Sequence, residues 1–184
     1  MRVIAGSLKG RRLAAPAWAG LRPTSDKLRE TLFNILAPRT AGARVLDGYA
    51  GTGAAGIEAL SRGAVFATFV ERDPRACALI AENLQRCGVA DGYAIIRADM
   101  ARGLTQLRAA GSTFDIALLD PPYDQPPDAE LAAIAGLLAP DGVAVVEHPR
   151  RRSAPERAGR LMRSREVVSG DSALTFYALS VRSA

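Results

Sequence analysis

The sequence predicts an α/β fold built on a mostly parallel sheet of about seven strands, with helices on both faces. From about residue 43, short apolar runs alternate with longer amphipathic segments, which is the pattern of strands joined by crossover helices. After residue 160 the pattern becomes two alternating runs around a Ser-Gly-Asp-Ser turn, which predicts an antiparallel C-terminal hairpin. Ahead of the sheet, two short runs joined by glycines predict a small N-terminal β-hairpin extension.

The predicted elements follow one another in a regular order. A first helix is expected from a cap at Thr24 or Ser25 through Leu36, and Pro38 is expected to end it. The central strands are predicted at residues 44–47, 65–70, 93–97, 114–119 and 143–147. The helices between them are predicted at residues 53–62, 73–87, 101–109 and 128–138. The closing hairpin is predicted at residues 161–168 and 173–181, and the N-terminal hairpin at residues 2–5 and 11–14.

The 184 residues are expected to form one domain, with residues 1–22 as a basic hairpin and loop and residues 23–184 as the core. The net charge of +5 favours a polyanionic partner, and its distribution supports this, because the basic residues gather near both ends of the chain. The two groups are Arg2, Lys9, Arg11, Arg12, Arg22, Lys27 and Arg29, and then Arg150, Arg151, Arg152, Arg157, Arg160, Arg163 and Arg165.

Several classes of protein are disfavoured by what the sequence lacks. No apolar run approaches the roughly 20 residues that cross a bilayer, and the first residues do not resemble a secretory signal. A cytoplasmic location is therefore expected. Cys77 and Cys87 fall in one predicted helix at a spacing too long for a disulfide, and His148 is the single histidine, so no metal site is expected.

A glycine-rich turn follows the first predicted strand. Gly51, Gly53 and Gly56 form a G-x-G-x-x-G pattern, which nicotinamide-dependent enzymes also use. Asp47 decides between cofactors, because a carboxylate aimed over the glycine turn repels a pyrophosphate and attracts the cationic amino group of S-adenosylmethionine. The pattern therefore favours S-adenosylmethionine.

Acidic residues also follow the second and third predicted strands. Glu71 stands where a carboxylate accepts hydrogen bonds from both hydroxyls of a ribose. Asp99 can accept from an adenine amino group while Met100 covers the ring. Each acid could instead only cap the helix after it, but their succession at strand ends favours a nucleoside site.

The fourth predicted strand leads directly into Asp120-Pro121-Pro122-Tyr123. Two prolines force a rigid, extended turn, which would fix the Asp120 carboxylate and the Pro121 carbonyl as two acceptors near the methyl donor. An exocyclic base amine is a poor nucleophile, and two acceptors on its N–H bonds orient it and stabilise its developing charge. Tyr123 offers a stacking face for a flipped base.

These motifs resemble those of the Rossmann-like class I methyltransferases: residues 46–64, LDGYAGTGAAGIEALSRGA, residues 69–73, FVERD, and residues 118–123, LLDPPY. Two N-terminal segments narrow the resemblance, residues 2–13, RVIAGSLKGRRL, and residues 22–36, RPTSDKLRETLFNIL. Together they resemble the bacterial 16S ribosomal RNA guanine-N2 methyltransferase family over essentially the whole chain. The Gly48-Tyr49 pair departs slightly from relatives, which often carry a bulkier residue before the aromatic.

The resemblance implies a methyl transfer to one guanine of 16S rRNA, presented on the 30S subunit or its assembly intermediate, by a monomer. It implies that the cofactor is held by Asp47, Tyr49, Ala50, Gly51, Gly53, Glu71, Arg72, Asp99 and Met100. The guanine would be received by Asp120, Pro121, Pro122 and Tyr123. The RNA would be bound by Arg2, Lys9, Arg11, Arg12, Arg22, Thr24 and Arg29.

Three alternatives stay open at the level of the sequence. One is the same chemistry on adenine in RNA or DNA, since the proline motif does not identify the base. Another is a methyltransferase acting on a glutamine side chain of a protein, which would not need a basic hairpin. The third is a non-catalytic RNA-binding factor of ribosome assembly that has kept the fold.

Overall fold

A computed structural model describes residues 1–16, 18, 25–122 and 128–180. Its strands are β1 Arg44–Gly48, β2 Phe66–Glu71, β3 Tyr93–Arg97, β4 Phe114–Leu119, β5 Leu138–Pro149, β6 Arg157–Ala158, β7 Leu161–Ser169 and β8 Ser172–Leu179. They form one eight-stranded sheet in the order β3-β2-β1-β4-β5-β8-β7-β6. The first five strands run parallel and the last three antiparallel, so the predicted mixed sheet is confirmed with one short strand more than expected.

The described helices are α1 Asp26–Thr40, α2 Ala54–Ser61, α3 Pro74–Cys87, α4 Met100–Ala109 and α5 Asp128–Ile134. Helices α1, α2 and α3 cover one face of the sheet, where Phe33 and Phe69 are fully buried. Helices α4 and α5 cover the other face, where Leu46 and Leu131 are fully buried. This doubly covered sheet explains why the central strands are apolar on both sides.

Crossover connections bring the carboxyl ends of the parallel strands to one edge of the sheet. The β1–β4 register pairs Gly48 with Leu119, and the β1–β2 register pairs Gly48 with Val70. Whatever follows each of these strands is therefore placed around a common opening, as is general for open α/β sheets.

Two predicted boundaries are wrong. Pro38 does not end the first helix, which continues to Thr40, where the threonine hydroxyl donates to the carbonyl of Leu36 at 2.9 Å. The fifth helix ends at Ile134, because Leu138 pairs with Phe114 and starts a longer strand than expected.

The N-terminal hairpin is present in minimal form. Arg2 and Arg12 make a single antiparallel bridge, and Val3 donates its backbone N–H to the carbonyl of Arg11 at 2.9 Å. Val3 and Leu13 are buried against the core, so one side of the hairpin is apolar and packed. We call residues 1–14 the N-terminal arm.

Among the helices within the described part of the chain, none has the length and apolar character needed to cross a membrane.

Candidate active site

A cleft of about 1020 Å³ opens at the carboxyl edge of the parallel strands. Most of the residues predicted for the cofactor and the reaction line it together. These are Asp47, Tyr49, Ala50, Gly51, Glu71, Arg72, Asp99, Met100, Asp120, Pro121 and Pro122. The predicted site residues Arg22, Thr24 and Tyr123 lie outside the described residues.

The glycine turn closes the inner end of the cleft. Gly53 takes a left-handed conformation, with φ of 74°, and stands at the N-cap of α2 against Ile80. A Cβ on Gly56 would overlap the ring of Phe69, so this glycine allows α2 to pack closely on β2. The glycines therefore shape the turn and the helix behind it.

Asp47 lies at the end of β1 beneath this turn. Its Oδ2 accepts a hydrogen bond from the backbone N–H of Gly56 at 2.8 Å. Burial raises the pKa of Asp47 to about 7, against the lowering effect of that hydrogen bond, and the charge of Glu71 adds to the rise. A desolvated carboxylate at a cleft wall is stabilised by a cation placed against it.

Glu71 is the last residue of β2 and organises the two turns beside it. Its Oε2 accepts from the N–H of Gly51 at 2.9 Å, and its Oε1 accepts from the N–H of Asp73 at 2.9 Å. A carboxylate has about four lone-pair positions, so these two bonds leave capacity for further donors. Glu71 is thus both a structural acceptor and available to the cleft.

Asp99 is the N-cap of α4, and its Oδ1 accepts from the N–H of Arg102 at 2.8 Å. The capping role considered as an alternative is therefore real, but the residue also lines the cleft. Met100 is buried beneath the turn, and a Cβ on Gly48 would come within 2.8 Å of its Cε. Gly48 is the small residue that allows this approach.

Tyr49 has a φ of 60°, and among the described residues it is the one non-glycine with a positive φ. Its hydroxyl is hydrogen-bonded to Glu130 of α5, and burial, followed by the charge of Glu130, raises the pKa of Tyr49. This strained residue thereby joins the β1 turn to the helix after the proline turn. Sequence reasoning missed Glu130, because nothing local marks a contact across 81 positions.

The proline turn borders the cleft directly after β4. The N–H of Asp120 lies 3.4 Å from the carbonyl of Gly48, which keeps the turn aligned with the end of β1. Pro121 is buried and Pro122 half-buried. Asp47, near the end of β1, and Asp120, directly after the adjacent β4, thus line one opening.

The N-terminal arm docks on α2 and α3. Glu58 accepts from the N–H groups of Ile4 at 2.7 Å and Ala5 at 3.0 Å, and from Arg62 Nε at 2.7 Å. The side chains expected to bind RNA point away from this contact and are exposed: Arg2, Lys9, Arg11 and Arg12. The arm is therefore fixed to the core by one side and presents a basic surface on the other.

The expected RNA contact of Arg29 is wrong. Its side chain is 1% exposed, and its Nη2 donates to the carbonyl of Arg2 at 2.6 Å and to Asp26 at 2.9 Å. Its Nε lies 3.8 Å from the fully buried Glu58. Arg29 therefore secures the arm to α1 and α2 instead of reaching a phosphate, although its side chain borders the cleft.

Two further cleft residues carry charge or a large ring. Glu147 lies in β5, two residues before the end of the strand, and directly follows the buried run Val143–Val146, which is a signal like the one that identified the other acids. Trp18 lies over the guanidinium of Arg75, 5.0 Å from guanidinium carbon to ring centroid, at the end of the cleft near Glu71. Within the described ranges, His, Cys, Asp and Glu side chains form no group of three suited to a metal ion.

The sheet order, the glycine turn and the acids at successive strand ends define a Rossmann-like class I methyltransferase fold. A family model described as conserved hypothetical protein 95 matches residues 1–178. Ribosomal RNA small subunit methyltransferase D of Escherichia coli K12 is 34% identical over 180 residues, which cover 96% of this chain and 89% of the relative. The chain belongs to this methyltransferase family.

Two other relatives match over nearly their whole length. YlbH of Bacillus subtilis strain 168 is 38% identical over 180 residues, which cover 96% of this chain and 98% of the relative. The solved structure of a hypothetical protein from Thermus thermophilus superimposes with a TM-score of 0.82 at 34% identity, covering 97% of this chain and 99% of that chain. The similarity thus includes the N-terminal arm as well as the sheet.

Proposed function

We propose that this protein transfers a methyl group from S-adenosylmethionine to the exocyclic N2 amine of a guanine in 16S rRNA, on the 30S subunit or its assembly intermediate. The observation that carries the proposal is one cleft lined by acids at the carboxyl ends of four adjacent strands, with the proline turn on one side. The name of the Escherichia coli relative, a small-subunit ribosomal RNA methyltransferase, supports the substrate class.

The residues at the inner end of the cleft fit S-adenosylmethionine. Asp47 is a desolvated carboxylate that a cationic amino group would stabilise, and a pyrophosphate would not. Glu71 keeps acceptor capacity for ribose hydroxyls, and Asp99 with Met100 lies where the adenine would be held. When bound, the cofactor supplies an electrophilic methyl group on a sulfonium.

The proline turn would orient the exocyclic amine of the base for attack on the methyl group. Asp120 and the carbonyl of Pro121 would accept from the two N–H bonds of guanine N2 and hold the nitrogen towards the methyl group. As the nitrogen–carbon bond forms, the Asp120 carboxylate would stabilise the positive charge on nitrogen until a proton leaves for solvent. Tyr123, outside the described residues, follows this turn in sequence and is proposed to stack on the base.

The exposed basic residues of the N-terminal arm are proposed to bind the RNA backbone. Lys9, Arg11 and Arg12 lie on one short segment, and Arg2 pairs with it across the bridge. Phosphate contacts of this kind position an RNA without reading its sequence. This surface also argues against a protein glutamine as the substrate, which would gain nothing from it.

The proposal is tested by methyl transfer from labelled cofactor to 30S subunits that lack the modification, with the product nucleoside identified by mass spectrometry. Asp120→Asn keeps one acceptor oxygen and loses the charge, so it should bind cofactor normally and turn over about 10²–10³ times more slowly. N6-methyladenosine as product would overturn the guanine assignment. Near-normal turnover by Asp120→Asn would contradict the role of the carboxylate. Absence of cofactor binding in the unaltered protein would contradict the proposal that it is an enzyme.

A further inference from the structure

We propose that Glu147 is the residue that selects guanine, by accepting a hydrogen bond from the N1–H of the base whose N2 amine is held by Asp120. This inference rests on the proposed function and assigns base specificity within that site. Its first support is the strand register. Leu119, the last residue of β4, pairs with Val146 of β5, and continuing this register by one residue brings Asp120 next to Glu147.

The direction of Glu147 follows from the residues around it. Val145 is buried on the face covered by α1, and side chains alternate along a strand, so Glu147 belongs to that same face. His148 points to the other face, where its Nε2 lies 2.8 Å from the hydroxyl of Thr175. Both Val145 and Glu147 line the cleft, so this face of β5 borders the site.

The cleft that Glu147 lines also has apolar side chains, against which a planar base can pack. Leu28 and Leu32 of α1 and Leu174 of β8 line the same cleft as Glu147. Leu174 is the register partner of Glu147 across the β5–β8 pair. A planar base would thus lie between apolar side chains with two adjacent carboxylates at one edge.

Two adjacent carboxylates fit one base better than the others. Guanine has adjacent hydrogen-bond donors along one edge, namely the N–H bonds of N2 and the N–H of N1. Adenine and cytosine each present an amine next to a ring nitrogen lone pair, and a carboxylate facing that lone pair is repelled and left without a donor. The proline turn alone accepts any exocyclic amine, so Glu147 supplies the discrimination that the turn lacks.

The closest probe for this contact is 2-aminopurine, which keeps the 2-amino group but has a lone pair in place of the N1–H and lacks O6. The nucleotide that the unaltered protein methylates is first located in 16S rRNA by mass spectrometry. The 30S subunits are then reconstituted with guanine or 2-aminopurine at that position. The measured quantity is the ratio of kcat/KM values for guanine over 2-aminopurine.

The unaltered protein should favour guanine by about 10²-fold or more, because sites built around a substrate donor reject analogues without it. Glu147→Gln should reduce this ratio at least about 10-fold, since its amide can accept from guanine or donate to 2-aminopurine. Glu147→Ala should reduce it as well. Glu82→Gln removes the same charge from an exposed ion pair with Arg86 on α3 and should leave the ratio unchanged.

The outcomes separate the inference from the proposed function. No N2-methylguanosine from the unaltered protein would overturn the proposed function and the inference with it. Normal N2 methylation with an unchanged ratio in Glu147→Gln would overturn the inference alone. Cofactor affinity, measured by calorimetry, should be equal in Glu147→Gln and the unaltered protein, and its loss would place Glu147 against the cofactor and also overturn the inference.

Discussion

The side-chain amide of Asn83 donates to the backbone carbonyl of Thr52 at 3.0 Å, which links α3 to the glycine turn of the cleft. The same side chain accepts from the N–H of Ala14 at 2.7 Å, and it is fully buried. One residue thus connects the end of the N-terminal arm to the turn proposed to hold the cofactor.

Asn83→Leu is expected to destabilise the protein, because the buried carbonyl of Thr52 and the part-buried N–H of Ala14 would lose their partner. Each group left unsatisfied costs about 1–3 kcal/mol. Urea unfolding followed by circular dichroism measures the change. Gln85→Ala, at an exposed position of the same helix, should stay within about 0.5 kcal/mol of the unaltered protein. Equal midpoints for the two variants would contradict the bridging role.

The pH dependence of the free energy of unfolding should reflect the raised pKa of Asp47. The unfolded chain ionises this group near its ordinary pKa of 3.8, whereas the folded protein keeps the proton up to about 7. Between these values only the unfolded chain loses the proton, so the stability of the fold falls as the pH rises, by at most about 1.4 kcal/mol per pH unit. Asp47→Asn should lack this loss and be the more stable protein at pH 8.

The same variant tests the cofactor site. Asp47→Asn can still accept from Gly56 but has no charge for an ammonium group, so its affinity for S-adenosylmethionine should be low at every pH. The affinity of the unaltered protein should fall as the pH drops below about 7, because Asp47 must lose its proton to bind a cation. Calorimetry at pH 6 and pH 8 gives both values, and parallel pH profiles would exclude this role.

Glu58 is expected to be the residue on which attachment of the arm depends most. It is fully buried, and its removal would leave Arg29 without its buried acidic neighbour, with the exposed Asp26 as its remaining carboxylate partner. Breaking a buried ion pair from one side costs about 3–5 kcal/mol. Glu58→Ala should therefore unfold at much lower urea than the unaltered protein, and its arm should exchange backbone hydrogens faster.

The exposed pair Glu82–Arg86 provides the matched control for Glu58. Glu82→Ala removes the same charge from a solvated helix face, where such pairs contribute about 0–1 kcal/mol. Similar losses in the two variants would mean that the arm is held by its apolar contacts, chiefly Val3 and Leu13, and not by the buried carboxylate.

The triple variant Lys9→Ala, Arg11→Ala, Arg12→Ala tests the RNA surface. Its side chains are exposed, so the fold and the cofactor affinity should be unchanged. RNA binding should weaken, and each lost phosphate contact should reduce the slope of log affinity against log salt by nearly one unit. Filter binding to 16S rRNA at several salt concentrations measures the slope. An unaltered slope would mean that the RNA is bound elsewhere, with the arginines near residue 150 as the next candidates.

The sequence predicts well those elements of secondary structure that are determined by a local sequence pattern. Strands β3 and β4 have the predicted bounds, because each is a short apolar run ended by a polar residue and a turn. The acids at strand ends were predictable for a related reason: parallel topology brings those positions to one edge whatever the details of packing.

Features set by packing across the chain were harder to predict. Arg29 was assigned to RNA by the family resemblance and by its place in a basic group, although it falls three, four and seven positions before Leu32, Phe33 and Leu36 and so shares their buried face. The pairing of Tyr49 with Glu130 depends on how α5 lies over the sheet, which no local pattern encodes. Pro38 failed as a stop signal because tertiary contacts hold the last helical turn, where Thr40 is buried.

The attachment of the arm to α2 fixes the distance between the arm and the cleft. Glu58 fixes the backbone of Ile4 and Ala5 from inside α2, and α2 begins at the glycine turn of the cleft. The separation between the basic surface and the proline turn is thus set by the fold itself. If the arm binds the RNA backbone as proposed, the target nucleotide is selected partly by its distance from that contact, whatever sequence lies between.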